Sequence, residues 1–189
     1  MKKCSQSLVK DMFRYTKFNS EECGLQLKAK HVDKIRFKPT DAMLLGIYFE
    51  YKISGILQDG IEFPKLKDGV NMPIDFKRID TQVETFKKAL DKNGFKIIGS
   101  NKRYETDDMV IVVDFELKKE GDDKIILLDT KCSSLINDKW SEYGWHEDRI
   151  AEKDDLMIQA VQYKRVWIEL FGYDPDFYFY VISPKNETD

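Results

Sequence analysis

The sequence predicts an α/β protein in which helices flank a central mixed β-sheet, and three observations lead to this fold class. Segments with helical periodicity come first, three strand-like segments follow, and a further helix and strand come last. The chain has 189 residues, the ordinary size of one domain. It is 42% hydrophobic, which is enough for the core that such a sheet and its helices enclose.

Three amphipathic helices are predicted in the first half of the chain. The segment SQSLVKDMFRY has helical spacing and a serine in the cap position. Thr40 is the expected N-cap of a second helix, which extends to about residue 54 and places Glu50 on the same side as apolar residues. The segment DTQVETFKKALDKNG is the third helix, and Gly94 is expected to stop it.

The strands that form the sheet are predicted in the second half. In these segments apolar and polar residues alternate, or apolar residues follow one another directly. The segments are FKIIGSNKRYE, DMVIVVDFELKK, DKIILLDTKCSS and, after a further helix, DFYFYVIS. That helix is DLMIQAVQYKRVWIELFG, and it ends at Gly172.

A tight turn centred on Gly121 and Asp122 is expected to join the second strand to the third. Counting outward from this turn places Asp114 directly opposite Asp129. Side-chain alternation puts Asp129 and Lys131 on one face of their strand. On the preceding strand it predicts one face with Val110, Val112, Asp114 and Glu116, and the other with Ile111, Val113, Phe115 and Leu117.

Two carboxylates in this position are unfavourable for a purely structural sheet. Directly opposed side chains lie about 5 Å apart, where two like charges repel by roughly 3 kcal/mol at an effective dielectric constant of about 20. Both residues also lie within aliphatic runs, and their burial adds a desolvation cost. A divalent cation between Asp114 and Asp129 would turn the repulsion into attraction. The alternative is a solvated surface pair of Asp129 with Lys131, which contributes about 0–1 kcal/mol.

The composition restricts which metal could bind. The three cysteines are widely spaced, without a CxxC pair, and there are only two histidines. A disulfide framework or a cysteine zinc site is therefore not expected. Oxygen ligands remain, and these suit a hard cation such as Mg²⁺ or Mn²⁺.

These residues resemble the PD-(D/E)xK nuclease superfamily, in particular its RecB-like branch with the lambda-type exonucleases. Asp114 matches the isolated Asp of the first motif strand, and Asp129-Thr130-Lys131 matches the (D/E)xK strand, although Val113 stands where the motif has proline. GIYFE, which ends at Glu50, is similar to the preceding helix, and QAVQY supplies the Q-x-x-x-Y motif with Gln159 and Tyr163. The resemblance covers about residues 5–183.

The resemblance implies a restriction-endonuclease-like core in one nuclease domain over residues 1–189, with a helical part over about 1–55 and the core over about 80–183. It also implies a Mg²⁺ or Mn²⁺ site formed by Asp114, Asp129, Glu50 and the carbonyl oxygen of Thr130. The iron–sulfur members of the branch carry three C-terminal cysteines. No cysteine follows Cys132, so no iron–sulfur cluster is expected.

Three further residues have implied catalytic roles. Lys131 would orient the attacking water and stabilise the developing negative charge. Gln159 and Tyr163, one helical turn apart, would position the substrate strand or brace Lys131. Glu50 and Tyr163 could instead be a helix-surface residue and a core aromatic.

Other polar and aromatic residues leave two interpretations open. Glu116 is either an additional metal ligand or a solvated residue near the strand end. His146 is either functional or an ordinary loop residue. The aromatic residues that follow the third strand either stack nucleic-acid bases or anchor a loop, and they are Trp140, Tyr143 and Trp145.

The function implied by the resemblance is metal-dependent hydrolysis of DNA, with exonuclease action favoured because no separate specificity domain is visible. The rivals are an endonuclease, a non-catalytic nucleic-acid-binding module with the same fold, and a plain interaction domain. Residues 1–40 carry ten Lys or Arg and four Asp or Glu, a net charge of +6, which leaves −9 on the remainder. A basic edge suits linear or single-stranded DNA, although a solvated lysine-rich surface would look the same.

Small nucleases of this kind are typical of phages and mobile elements and of their recombination systems. The resemblance therefore implies that the protein forms a homo-oligomer or binds a helicase or recombination partner.

No apolar run approaches the length of a membrane span, and no apolar segment follows the N-terminal lysines as in a signal peptide. We therefore expect a cytoplasmic protein without membrane contact.

Overall fold

The computed structural model describes residues 3–18, 24–35, 37–134, 136, 145–146 and 153–185. Apart from a two-residue strand at Cys4–Ser5, helices come first, three long strands follow, and a helix and a strand come last, as predicted. The helices are α1 (Gln6–Phe18), α2 (Gly24–Leu27) with a π-helical turn (Lys28–Val32), α3 (Asp41–Ser54), α4 (Ile74–Lys92) and α5 (Asp154–Phe171). The strands are β1 (Cys4–Ser5), β2 (Phe95–Glu105), β3 (Met109–Lys119), β4 (Ile125–Cys132) and β5 (Asp176–Ile182).

The predicted helix boundaries are confirmed at several ends. The Ser5 hydroxyl accepts a hydrogen bond from the Leu8 amide, and that of Thr40 accepts one from the Met43 amide. Gly172 ends α5 in a left-handed conformation, with φ 78°. The third helix is longer than predicted, because α4 begins six residues earlier at Ile74, after Pro73. The added turns bury Phe76 and Ile79 and so extend the apolar stripe.

The sheet is mixed, as predicted. Strands β2, β3 and β4 pair antiparallel in sequence order, and β5 pairs parallel to β4. The short strand β1 pairs parallel to β3 at Met109 and Val110. The ladder between β3 and β4 runs from Lys118 opposite Ile125 to Phe115 opposite Leu128, which confirms the predicted register. One further step in that register brings Asp114 level with Asp129.

Two apolar clusters hold helices against opposite faces of the sheet. The larger cluster packs α3 and α4 against Phe115, Leu117, Ile126, Leu128 and Ile182. The smaller cluster packs α5 against Met109, Ile111, Val113 and Leu127. The sheet is therefore covered on both faces where these helices pack, and Glu116 and Asp129 are buried in it.

The predicted face assignment along β3 is wrong in one respect. Val113 belongs to the cluster on the α5 side, whereas Phe115 belongs to the cluster on the α3 and α4 side, so the alternation changes at Asp114. The register with β2 runs to Ser100 opposite Phe115 and resumes at Lys102 opposite Val113. Between them Asn101 has a left-handed φ of 51°. The change of face in β3 thus coincides with the gap in the β2 ladder at Asn101 and Asp114, and a separate register shift lies between Ile97 and Gly99.

The same change of face turns Glu116 towards the α5 side. Its carboxylate is 3% exposed and accepts hydrogen bonds from the Tyr104 hydroxyl and, at 2.9 Å, from the Lys102 ammonium group. These two contacts explain how a carboxylate is tolerated inside the sheet.

Gly99 lies directly beside this ion pair. A Cβ atom at residue 99 would lie 2.7 Å from the Glu116 carboxylate and 2.6 Å from Cε of Lys102. We expect Gly99→Ala to lower the free energy of unfolding by about 1–3 kcal/mol, because it separates the buried carboxylate from its cation. Urea unfolding measures the change.

Gly46→Ala is the control for that experiment. A Cβ at residue 46 would make an ordinary contact, 3.8 Å from Cβ of Cys132, inside helix α3. The Gly46→Ala substitution should leave the free energy of unfolding unchanged or raise it by up to about 1 kcal/mol. Equal stability of the Gly99 variant and the parent would contradict the role given to Gly99.

Within the described residues, no helix combines the length and apolar character required to cross a membrane.

Candidate active site

The end of β4 distributes three consecutive polar side chains between the two faces of the sheet. Asp129 reaches the α5 side, where Gln159 of α5 donates a hydrogen bond from Nε2 to its carboxylate. Thr130 reaches the opposite side, where its hydroxyl lies 3.1 Å from the Glu50 carboxylate of α3. Lys131 returns to the Asp129 side, and its ammonium group contacts the Asp129 carboxylate. Because side chains alternate along β4, adjacent residues of this strand contact α5 through Asp129 and α3 through Thr130.

Thr130 links two of the predicted metal ligands. Its backbone amide donates to Oδ2 of Asp114 at 2.7 Å, and its hydroxyl lies 3.0 Å from the same oxygen. These contacts lie just beyond the last paired residues of β3 and β4, which are Phe115 and Leu128. A hydroxyl has one hydrogen, so Thr130 can donate to only one of the carboxylates of Asp114 and Glu50 at a time. A proton on either carboxyl group would satisfy both contacts.

The pKa values of the three carboxyl groups agree with such proton sharing. Burial, followed by the charges of Asp129 and Glu50, raises the pKa of Asp114 to about 8. Burial also raises the pKa of Glu50, and the Asp129 charge raises it further. The pKa of Asp129 is raised by burial in spite of the opposing effect of Lys131. The cluster therefore contains more negative charge than its surroundings compensate.

Lys131 is held between a carboxylate and an aromatic ring. Besides its contact with Asp129, its ammonium group lies 5.5 Å from the centre of the Phe179 ring, a cation–π distance. Trp145 packs against Phe179 from the side, with ring centres 5.9 Å apart. The side chain of Lys131 is 24% exposed, so a solvent-borne group can reach it.

The two residues of the Q-x-x-x-Y motif differ in what they contact. Gln159 is 3% exposed and bonds Asp129 directly, while among the described residues its Oε1 has no hydrogen-bond partner. Tyr163 donates its hydroxyl hydrogen to the carbonyl oxygen of Val112 at 2.5 Å. This oxygen lies on β3 between the stretches paired with β1 and β4. Tyr163 therefore supports the strand that carries Asp114, and no contact of its hydroxyl with Lys131 is found among the described residues.

The carboxylates fit a divalent metal by their chemistry more than by their present orientation. In the described part of the chain, no three acidic, His or Cys side chains converge on a point as placed. Both oxygens of Asp129 are engaged, by Gln159 and Lys131. The donor set is nevertheless all oxygen, buried at Asp129 and half-buried at Glu50 and Asp114, and it is short of positive charge, which suits a hard cation.

A group of charged residues from α1 and α5 adjoins this centre and was not anticipated from the sequence. Asp155 accepts a hydrogen bond from Nη2 of Arg14 at 2.8 Å, and Nζ of Lys10 lies 3.5 Å from the same oxygen. Burial lowers the pKa of Lys10, and the charge of Lys131 lowers it further. The charge of Lys10 in turn acts to lower the pKa of Asp129. The spacing of Lys10 and Arg14, one helical turn apart, was the available signal.

The remaining candidates are placed less centrally. The contacts of Glu116 with Lys102 and Tyr104 account for its burial without a metal. His146 is half-buried next to Trp145. Trp140 and Tyr143 lie outside the described residues.

Comparisons with known proteins give one match. The structure of a protein from Eubacterium rectale named "Putative exonuclease" superposes with a TM-score of 0.69 at 18% sequence identity. The match covers 99% of this chain and 70% of that protein. The two proteins share a fold. The predicted fold class, a mixed sheet flanked by helices, is confirmed. No family model and no curated protein matches the sequence.

Proposed function

We propose that this protein is a metal-dependent nuclease that hydrolyses phosphodiester bonds in DNA and acts as an exonuclease. The observation that carries the proposal is the cluster of the buried Asp129 and the half-buried Glu50 and Asp114, with Lys131 beside it. The pKa values of these three neighbouring carboxyl groups are all raised, which is typical of functional sites. The fold shared with a protein named as an exonuclease supports the same reaction class.

The metal would be Mg²⁺ or Mn²⁺, held by Asp114, Asp129, Glu50 and the Thr130 carbonyl oxygen. When bound, it would lower the pKa of a coordinated water and offset negative charge on the phosphate. The carboxylates would then be ionised, because the cation replaces the missing positive charge. We do not propose an iron–sulfur cluster.

The protein's own groups would prepare and stabilise the reaction. Lys131 would leave Asp129 for the scissile phosphate, where its ammonium group stabilises the charge that develops during attack by water. Gln159 would hold one oxygen of Asp129, so that the carboxylate keeps its orientation when Lys131 moves. Tyr163 would fix the β3 backbone beside Asp114.

Lys10 and Arg14 extend the positive charge away from Lys131 along α1. Their side chains are 19% and 37% exposed, so both can be reached from solvent. A neighbouring phosphate of the substrate strand is an anion of suitable size and charge for this pair. We propose that the strand passes from Lys131 towards these residues.

Cleavage of linear and covalently closed circular DNA tests the proposal. An exonuclease should degrade the linear molecule in Mg²⁺ or Mn²⁺, leave the closed circle intact and stop on addition of EDTA. Cleavage of the circle would identify an endonuclease. Binding of DNA without cleavage in either metal would favour a non-catalytic module.

A further inference from the structure

Asp155 occupies a position that an acidic residue of a nucleic-acid-binding surface would ordinarily avoid. Its carboxylate lies between two cations, Arg14 at 2.8 Å and Lys10 at 3.5 Å, and a single oxygen, Oδ2, receives both. Its side chain is 26% exposed. A carboxylate there repels any phosphate that approaches the same two cations.

The charges around Asp155 nevertheless leave room for a second anion. Two cations, Lys10 and Arg14, pair with the one carboxylate of Asp155, at 3.5 Å and 2.8 Å. Lys10 keeps a lowered pKa although this carboxylate is its neighbour, because burial and the charges of Lys131 and Arg14 outweigh it. Lys10 and Arg14 together therefore carry one more charge than the Asp155 carboxylate neutralises.

We propose that Asp155 is an internal counter-anion, which holds Lys10 and Arg14 in place without substrate and is displaced from them by a backbone phosphate of the DNA strand. A phosphodiester carries the same charge as the carboxylate, and its two free oxygens can accept from Arg14 and Lys10 together. Because the two anions compete, Asp155 lowers the affinity for DNA. Isolated anions and strands that miss the catalytic centre gain too little to displace it.

This inference rests on the proposed function, and it predicts that removal of one charge strengthens binding. The Asp155→Asn variant should bind a single-stranded phosphorothioate oligonucleotide about threefold to tenfold more tightly than the parent. Fluorescence anisotropy at low and moderate salt, in EDTA and again in Mg²⁺, measures the dissociation constant.

Asp154→Asn is the matched control. Asp154 precedes Asp155 in the first turn of α5, so its replacement changes the net charge and the helix N-terminus by the same amount. It should change the dissociation constant less than twofold. Thermal unfolding of both variants establishes that each is folded. An equal gain in the two variants would reduce the effect to general electrostatics and overturn the inference.

A second variant tests whether the gain passes through the proposed cations. Adding Lys10→Gln to Asp155→Asn should remove most of the gained affinity. If Asp155→Asn binds like the parent or more weakly, Asp155 organises the site instead of competing in it. If a folded parent binds no DNA under either condition, the proposed function itself fails, so the two failures can be told apart.

Discussion

Replacement of either charged partner at the end of β4 is expected to abolish DNA cleavage. Asp129→Asn and Lys131→Gln should each lower kcat by at least about 100-fold. Asp129→Asn would remove a carboxylate of the proposed metal site, and Lys131→Gln would remove the cation that we propose to act on the scissile phosphate. Asp129→Asn is isosteric, and Lys131→Gln shortens the side chain by one bond while keeping a polar end. Single-turnover cleavage of linear DNA at saturating Mn²⁺ separates loss of chemistry from loss of binding.

The same hairpin provides a matched pair of control residues. Lys118 and Asp123 form an ion pair at 3.0 Å, with side chains 42% and 105% exposed. Lys118→Gln and Asp123→Asn should leave cleavage within about twofold of the parent, because an exposed pair contributes little. If the Asp129 and Lys131 variants cleave DNA like these controls, the catalytic centre lies elsewhere.

The register of this hairpin could be predicted because its turn is chemically marked. Gly121 adopts a left-handed φ of 79°, and the strands on either side have no insertions, so counting outward was sufficient. The change of face at Asp114 could not be predicted in the same way. The flanking residues are apolar on both sides of β3, since helices cover both faces, and such a run carries no alternation to read.

The predicted site residues that lie together are those around the end of β4. Thr130 contacts both Glu50 and Asp114, and Gln159 contacts Asp129, so these predicted residues do lie together. Their roles stay predictions. Lys10 and Arg14 were missed because two cations one turn apart on a helix are usually solvated. Only the packing of α1 beside α5 shows that they face Asp155.

The stability of the metal-free protein should fall as the pH rises through neutrality. Asp114 has a pKa of about 8 in the folded protein against an ordinary value of 3.8, so between these values the folded state binds the additional proton. The free energy of unfolding must therefore decrease across this range, by an amount on the order of a few kcal/mol. The stabilisation is complete below the lower value and lost above the upper one. Glu50 and Asp129 contribute in the same direction.

Urea unfolding in EDTA between about pH 5 and pH 9 measures this slope. The range excludes carboxyl groups with lowered pKa values, such as Asp11 and Asp155, which titrate at lower pH and have the opposite effect. Asp114→Asn cannot ionise, so it should flatten the curve and exceed the parent in stability near pH 9. A slope that persists unchanged in this variant would show that Asp114 is not the group responsible.

A divalent cation should reverse the pH effect, which connects the electrostatics of the fold to the proposed reaction. At about pH 8, Mn²⁺ at roughly 100 times its dissociation constant should stabilise the parent by about 2.7 kcal/mol, because it binds only the folded carboxylates. Asp114→Asn should lose most of this gain while remaining the more stable protein in EDTA. A stabilisation that is equal in both proteins would place the cation at another site. The group that most destabilises the metal-free fold at high pH is thus expected to contribute most to holding the metal.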